Sequence, residues 1–183
     1  SKGSGLGVSS SIAVCLSAVF YEMNLIKNNL NTDDSRLFHE RVATSAGNVE
    51  INRLLRPIGR QDHMAASYGK MRIYRFEKNE AFVERTFSDE DAEWISRYLF
   101  LIQLPVGHDS NLILSGVKTL ENLESASESV PVAIKGIETR DPSLVGESLR
   151  RGQKSKNHIK GASPDWLTKI IHRVRSVQGV FGC

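Results

Sequence analysis

The sequence predicts an α+β protein, and three observations carry that prediction. Ile12, Leu16, Val19, Phe20 and Met23 recur at helical spacing after a glycine- and serine-rich start. Met71-Arg72-Ile73-Tyr74-Arg75-Phe76 alternates apolar and basic residues at strand period. The weaker run Ala81 to Phe87 follows across Lys78-Asn79-Glu80, so the two read as an antiparallel hairpin. Helices and strands are mixed, without the regular strand–helix alternation of a parallel sheet.

Each element has its own local reason. Ser9, Ser10 and Ser11 can each cap the first helix, which reads as buried along its apolar stripe. After the polar stretch Asn28 to Asp34, a cap at Asp33, Asp34 or Ser35 opens a second helix through Leu37, Val42, Ala43 and Ala46. Gly47 or Asn48 interrupts it, Glu50 to Leu55 reads as a further helical stretch, and Arg56-Pro57-Ile58-Gly59 turns the chain. Beyond the hairpin, Ser88-Asp89-Glu90-Asp91 is an acidic cap before a short helix and the candidate boundary between two lobes. Tyr98 to Leu104 is continuously apolar, as a buried strand would be. Helices are expected over 110–125, over Val132 to Ile137, and from Asp141-Pro142 into the basic set Arg150, Arg151, Lys154 and Lys156. A last amphipathic helix follows Ser163-Pro164-Asp165.

Composition narrows the function classes. The chain has 183 residues, 40% hydrophobic and 25% charged, as an ordinary globular protein does. A net charge of +3 is too weak to argue for nucleic acid. Cys15 and Cys183 form neither a disulfide framework nor a metal-ligand spacing, which favours a reducing, cytoplasmic compartment. No run reads as long enough to span a membrane, and no signal peptide is evident. Both ends read as those of an internal segment of a longer protein.

The chemistry concentrates in two stretches. In the first, Gly3, Gly5 and Gly7 alternate through Lys2-Gly3-Ser4-Gly5-Leu6-Gly7-Val8-Ser9-Ser10-Ser11 and lead into a helix N-terminus. Free N–H groups and the positive end of the helix dipole converge there, which suits a phosphate. It is not a P-loop, because no lysine follows the glycines. Nor is it the dinucleotide fingerprint, whose third glycine would fall on Val8. The second is Gly59-Arg60-Gln61-Asp62-His63-Met64-Ala65-Ala66-Ser67-Tyr68-Gly69, in which small residues surround a single acid, Asp62.

Together these stretches resemble the GHMP kinases, the family that includes galactokinase, homoserine kinase and mevalonate kinase. The first resembles the family's second motif, roughly Pro-x-Gly-x-Gly-Leu-Gly-Ser-Ser-Ala. The second is similar to the Gly-Lys-Gln-Asp-Gln-Tyr-Ala-Ala-Ala-Tyr-Gly stretch of the heptose-phosphate kinase branch. The family's first and third motifs are missing. Three residues depart from the pattern: Val8 stands where the family motif has its first serine, and Arg60 and His63 stand where that branch has lysine and glutamine.

The resemblance implies a two-lobed fold with a ribosomal-protein-like N-lobe over 1–94 and a ferredoxin-like C-lobe over 95–183, incomplete at both ends. It implies an ATP- and Mg²⁺-dependent sugar kinase that phosphorylates the anomeric hydroxyl of a heptose 7-phosphate or related sugar. The alternatives are an L-fucose or galactose kinase, or a non-catalytic nucleotide- or sugar-binding protein of the same fold. Gly3, Ser4, Gly5, Leu6, Gly7, Val8, Ser9 and Ser10 would hold ATP phosphates, and Ser9 with Glu50 would hold the metal. Asp62 would accept or orient the hydroxyl proton, with Arg60 stabilising Asp62 or meeting a substrate phosphate. Gln61, His63 and Tyr68 would touch the sugar. Partners would be ATP and a small sugar or sugar phosphate, with neither nucleic acid nor membrane; a homodimer stays open.

Overall fold

A computed structural model describes residues 7–28, 30, 34–77, 80–104, 127–157, 159 and 162–183. The expected helix over 110–125 and the loop residues Gly3, Ser4, Gly5 and Leu6 lie outside them. The chain divides into two compact units, Ser1–Asp89 with Gln103–Asn111, and Glu90–Ile102 with Leu112–Cys183.

In the first unit, α1 (Val8–Lys27), α2 (Ser35–Gly47) and α3 (Gln61–Tyr68) pack together, and a π-helical turn (Asn48–Arg53) continues α2. Val14, Val42 and Ala46 form the core between α1 and α2, flanked by Ala13, Ala18, Tyr21 and Phe38. Small residues at 43, 46 and 47 let the backbones approach, and Asp34 caps α2 by accepting from the N–H groups of Arg36 and Leu37. The Ser67 hydroxyl ties α3 to α2 by donating to the His39 carbonyl at 2.8 Å. Strands β1 (Arg72–Phe76) and β2 (Ala81–Thr86) pair antiparallel, with an irregularity in register between Ile73 and Tyr74.

Four sequence expectations change here. The cap of α1 is Gly7 rather than a serine, and no side chain caps the helix, because the serine hydroxyls are engaged elsewhere. The stripe read as buried on α1 is exposed. Ile12, Leu16, Val19, Phe20, Met23 and Ile26 are each more than half accessible, while α2 packs on the side carrying Val14. The 20-residue α1 is also long and apolar enough to cross a membrane by length and composition, contrary to the expectation of no such run. A core helix passes the same test, and α1 packs on α2 and α3. Finally, Tyr98 to Leu104 forms no strand. Phe100 and Leu101 are 85% and 90% exposed, and among the described residues the only strands pair with each other. An apolar run becomes a strand only where another strand satisfies its backbone.

The second unit contains α4 (Asp89–Ser96), α5 (Ser129–Glu138), α6 (Pro142–Lys156) and α7 (Asp165–Arg175). Arg140 takes a left-handed φ of 56° after α5, and Asp141 then caps α6 through the N–H and hydroxyl of Ser143, with Pro142 in the first turn. Arg140 also pairs with Asp91 at 2.8 Å and lies over the Trp94 ring. The C-terminal run lies directly on α6. A Cβ at Gly146 would sit 2.5 Å from the Phe181 carbonyl carbon. Gly146→Ala therefore destabilises this unit by about 1–3 kcal/mol through overpacking, measured by urea unfolding. Unchanged stability would mean that the C-terminal run does not hold this position.

Candidate functional site

The site is built around a buried carboxylate. The π-helical turn after α2 carries Glu50, which is only 2% exposed. Leu54 donates its N–H to the Val49 carbonyl, five residues back, and Leu55 takes a positive φ of 52°. That conformation is costly for a branched residue, and it reverses the chain so that Arg56 folds back over Glu50.

Four side chains converge on Glu50. The Ser9 hydroxyl donates to Oε1, and the Ser10 hydroxyl to Oε2 at 2.9 Å. Arg56 Nη1 reaches Oε1 at 2.7 Å and the Ser9 hydroxyl at 2.6 Å. His63 Nε2 lies 2.9 Å from Oε2. Burial pushes the Glu50 carboxyl up, but hydrogen bonds from Ser9, Ser10 and His63, with the His63 charge, outweigh it and hold the group below its ordinary 4.5. An ionised carboxylate only accepts, so Nε2 is the protonated nitrogen of His63. Its Nδ1 is buried without a hydrogen-bond partner among the described residues.

Beside this network the two sequence stretches meet. Gly7 caps α1 in the left-handed conformation, with φ 64° and ψ 22°. A Cβ there would lie 3.2 Å from Asp62 Oδ2 and 3.3 Å from Asp62 Cγ. Any side chain at position 7 would thus meet the Asp62 carboxylate as well as straining the backbone. Asp62, in the first turn of α3, is exposed and makes no ion pair among the described residues. Its carboxylate sits against the residue that opens the positive end of α1.

Of the residues singled out by sequence, Gly7, Ser9, Ser10, Glu50, Asp62 and His63 come together. Val8 begins α1 on its exposed side, and Gln61 begins α3, also exposed. His63 is corrected from a sugar contact to a structural residue, since it is 0% exposed and committed to Glu50. Arg60 and Tyr68 lie elsewhere. They share a face of α3 with Met64 by four-residue spacing, and Asp62 falls on the other side, so Arg60 is not the ion-pair partner of Asp62. Arg56 was read only as part of a turn. No sequence signal marks it, because its contact depends on a left-handed leucine that sequence gives no reason to expect.

The oxygens of Ser9 and Glu50 are hard donors of the kind magnesium takes, and two protein ligands suffice when waters and phosphates complete the octahedron. Arg56 now holds the same two oxygens, so a metal there requires its guanidinium to swing aside. Among the described residues, no group of three or more His, Cys, Asp or Glu side chains could hold a metal. No protein-family model matches the chain, and comparison with curated proteins and with solved structures finds no match either.

Proposed function

We propose that the chain belongs to an ATP-dependent sugar kinase of the GHMP type, acting on the anomeric hydroxyl of a heptose 7-phosphate or a related sugar. The observation that carries this reading is the Asp62 carboxylate lying against Gly7, the cap of α1. Donor phosphates suit the free N–H groups at the start of α1. An acceptor hydroxyl suits Asp62, which is exposed and makes no ion pair among the described residues. When bound at Ser9 and Glu50, magnesium would neutralise phosphate charge. In the transfer, the sugar oxygen bonds to the γ-phosphorus, the bond from that phosphorus to the β–γ bridging oxygen breaks, and the hydroxyl proton passes to Asp62. ADP and the sugar phosphate leave. A charge of only +3 supports a small-molecule rather than a nucleic-acid partner, and the two free thiols suit a cytoplasmic setting.

A second reading has its own support. The Arg56 guanidinium is bonded to both oxygens that would hold magnesium, those of Ser9 and Glu50, which favours a non-catalytic nucleotide or sugar binder. ADP release by the full-length protein with ATP, magnesium and, in turn, heptose 7-phosphate, L-fucose and galactose separates the two. The kinase reading expects ADP in step with phosphorylated heptose. Fucose or galactose as the sole acceptor moves the substrate to that alternative. ATP binding without transfer to any of the three overturns the kinase in favour of the binder.

A further inference from the structure

Glu50 uses its two carboxylate oxygens differently. Oε2 faces inward: it accepts from the Ser10 hydroxyl and meets His63 Nε2, and both contacts are buried. Oε1 is shared by the Ser9 hydroxyl and Arg56 Nη1, and the contact between Arg56 and Ser9 is exposed. The Glu50 side chain is 3% exposed, whereas that of Arg56 is 41% exposed. Side chains of α1 and α3 therefore anchor the carboxylate from behind, and one guanidinium closes it from the solvent side.

The way Arg56 closes it differs from a pair built to stay. Strong arginine–carboxylate pairs are commonly bidentate, with two nitrogens laid against two oxygens. Here Nη1 alone bonds, at 2.7 Å to Oε1 and 2.6 Å to the Ser9 hydroxyl oxygen. Among the described residues, Nε and Nη2 of Arg56 have no hydrogen-bond partner, so most of the fork is open to an oxyanion. Glu50 does not depend on Arg56 to stay buried, because Ser9, Ser10 and His63 still serve it when the guanidinium leaves. The Ser9 and Glu50 oxygens are also the hard donors that suit magnesium. An ion coordinated by both would sit against the guanidinium, and two positive charges at that range repel strongly in a partly buried site. We propose that Arg56 is a latch on this seat: Nη1 occupies the Ser9 and Glu50 oxygens and keeps free metal out until nucleotide phosphates draw the guanidinium away. This role rests on the reading of Ser9 and Glu50 as the metal seat of a kinase. It adds the regulation of that seat, since Arg56 then admits metal only together with nucleotide.

Calorimetric titration of the full-length, nucleotide-free protein with Mg²⁺ alone tests it. The parent shows no saturable binding below about 10 mM. Arg56→Gln binds Mg²⁺ with a dissociation constant about tenfold or more below that limit, because the competing charge is gone. Arg56→Lys keeps a cation that can make the same single-nitrogen contact, and it behaves as the parent does. Ser9→Ala placed on Arg56→Gln cancels the gain, which assigns the gain to this seat. Melting curves give a second readout: Mg²⁺ raises the Tm of Arg56→Gln and leaves that of the parent unchanged. Arg56→Ala removes the same charge and decides the matter if Arg56→Gln does not fold. Equal Mg²⁺ affinity in parent and charge-removed variant, or a gain that survives Ser9→Ala, overturns the latch. ADP release with the three sugars is scored separately. Sugar phosphorylation with no gain in Mg²⁺ affinity overturns the latch and keeps the kinase, whereas the gain without transfer to any sugar keeps the latch and overturns the kinase.

Discussion

If the proposed kinase reading holds, Asp62→Asn is expected to lower the turnover of sugar phosphorylation about 10²–10⁴-fold, the usual worth of a positioned general base, and to leave KM for both substrates nearly unchanged. Asparagine keeps the size of the side chain and one oxygen against Gly7, so ligand positions survive; what it lacks is the capacity to take a proton. The fold is not expected to suffer. Asp62 is exposed and makes no ion pair among the described residues, so thermal unfolding should match the parent within experimental scatter. The measurement is steady-state ADP release with saturating sugar, read beside a melting curve. Full turnover in the variant would remove Asp62 from the chemistry and leave the Gly7 contact a matter of packing.

Glu50→Ala has the largest expected effect on stability, a loss of about 3–5 kcal/mol, because it strips the acceptor from a buried, charged network. Ser9 and Ser10 lose their acceptor, His63 is left fully buried with neither ring nitrogen satisfied among the described residues, and Arg56 loses its carboxylate. Glu50→Gln loses less, since one oxygen still accepts. The same network sets an acid limit. The folded-state Glu50 carboxyl lies below its ordinary 4.5, so the unfolded chain binds the proton more readily. The stabilisation is fully present above that ordinary value and is lost as pH falls through the lower, folded value. Urea unfolding at neutral pH and again below pH 4.5 should show the gap between parent and Glu50→Gln narrowing in acid. A gap independent of pH would mean that Glu50 is not charged in the folded protein.

The helices were legible because their signals are local. Asp34 and Asp141 cap α2 and α6, as a short polar residue ahead of an apolar repeat should. The hairpin was legible from alternation on either side of a polar turn. Periodicity gave α1 its helical form but not its orientation: Val14, outside the stripe read as buried, became the core, and the large apolar stripe stayed accessible. A stripe shows that a helix has an apolar face, whereas burial depends on a neighbouring element to cover it. The run from Tyr98 to Leu104 failed for a related reason, since hydrophobicity supplies no strand partner.

At the site, the chain's own order named the two stretches, glycine–serine and Gly59 to Gly69, with Asp62 as the single acid of the second, and the family resemblance pointed to Glu50 between them. Which side chains meet was decided in three dimensions. The helical period set Arg60 and Tyr68 on one face of α3 and Asp62 on the other. The left-handed turn at Leu55 brought Arg56 onto Glu50, and burial made His63 part of that network rather than a surface contact. Sequence encodes local conformation through steric and capping preferences acting over a few residues. Contacts such as Ser9 with Glu50, separated by 41 positions, depend on how whole elements pack, which no local preference specifies.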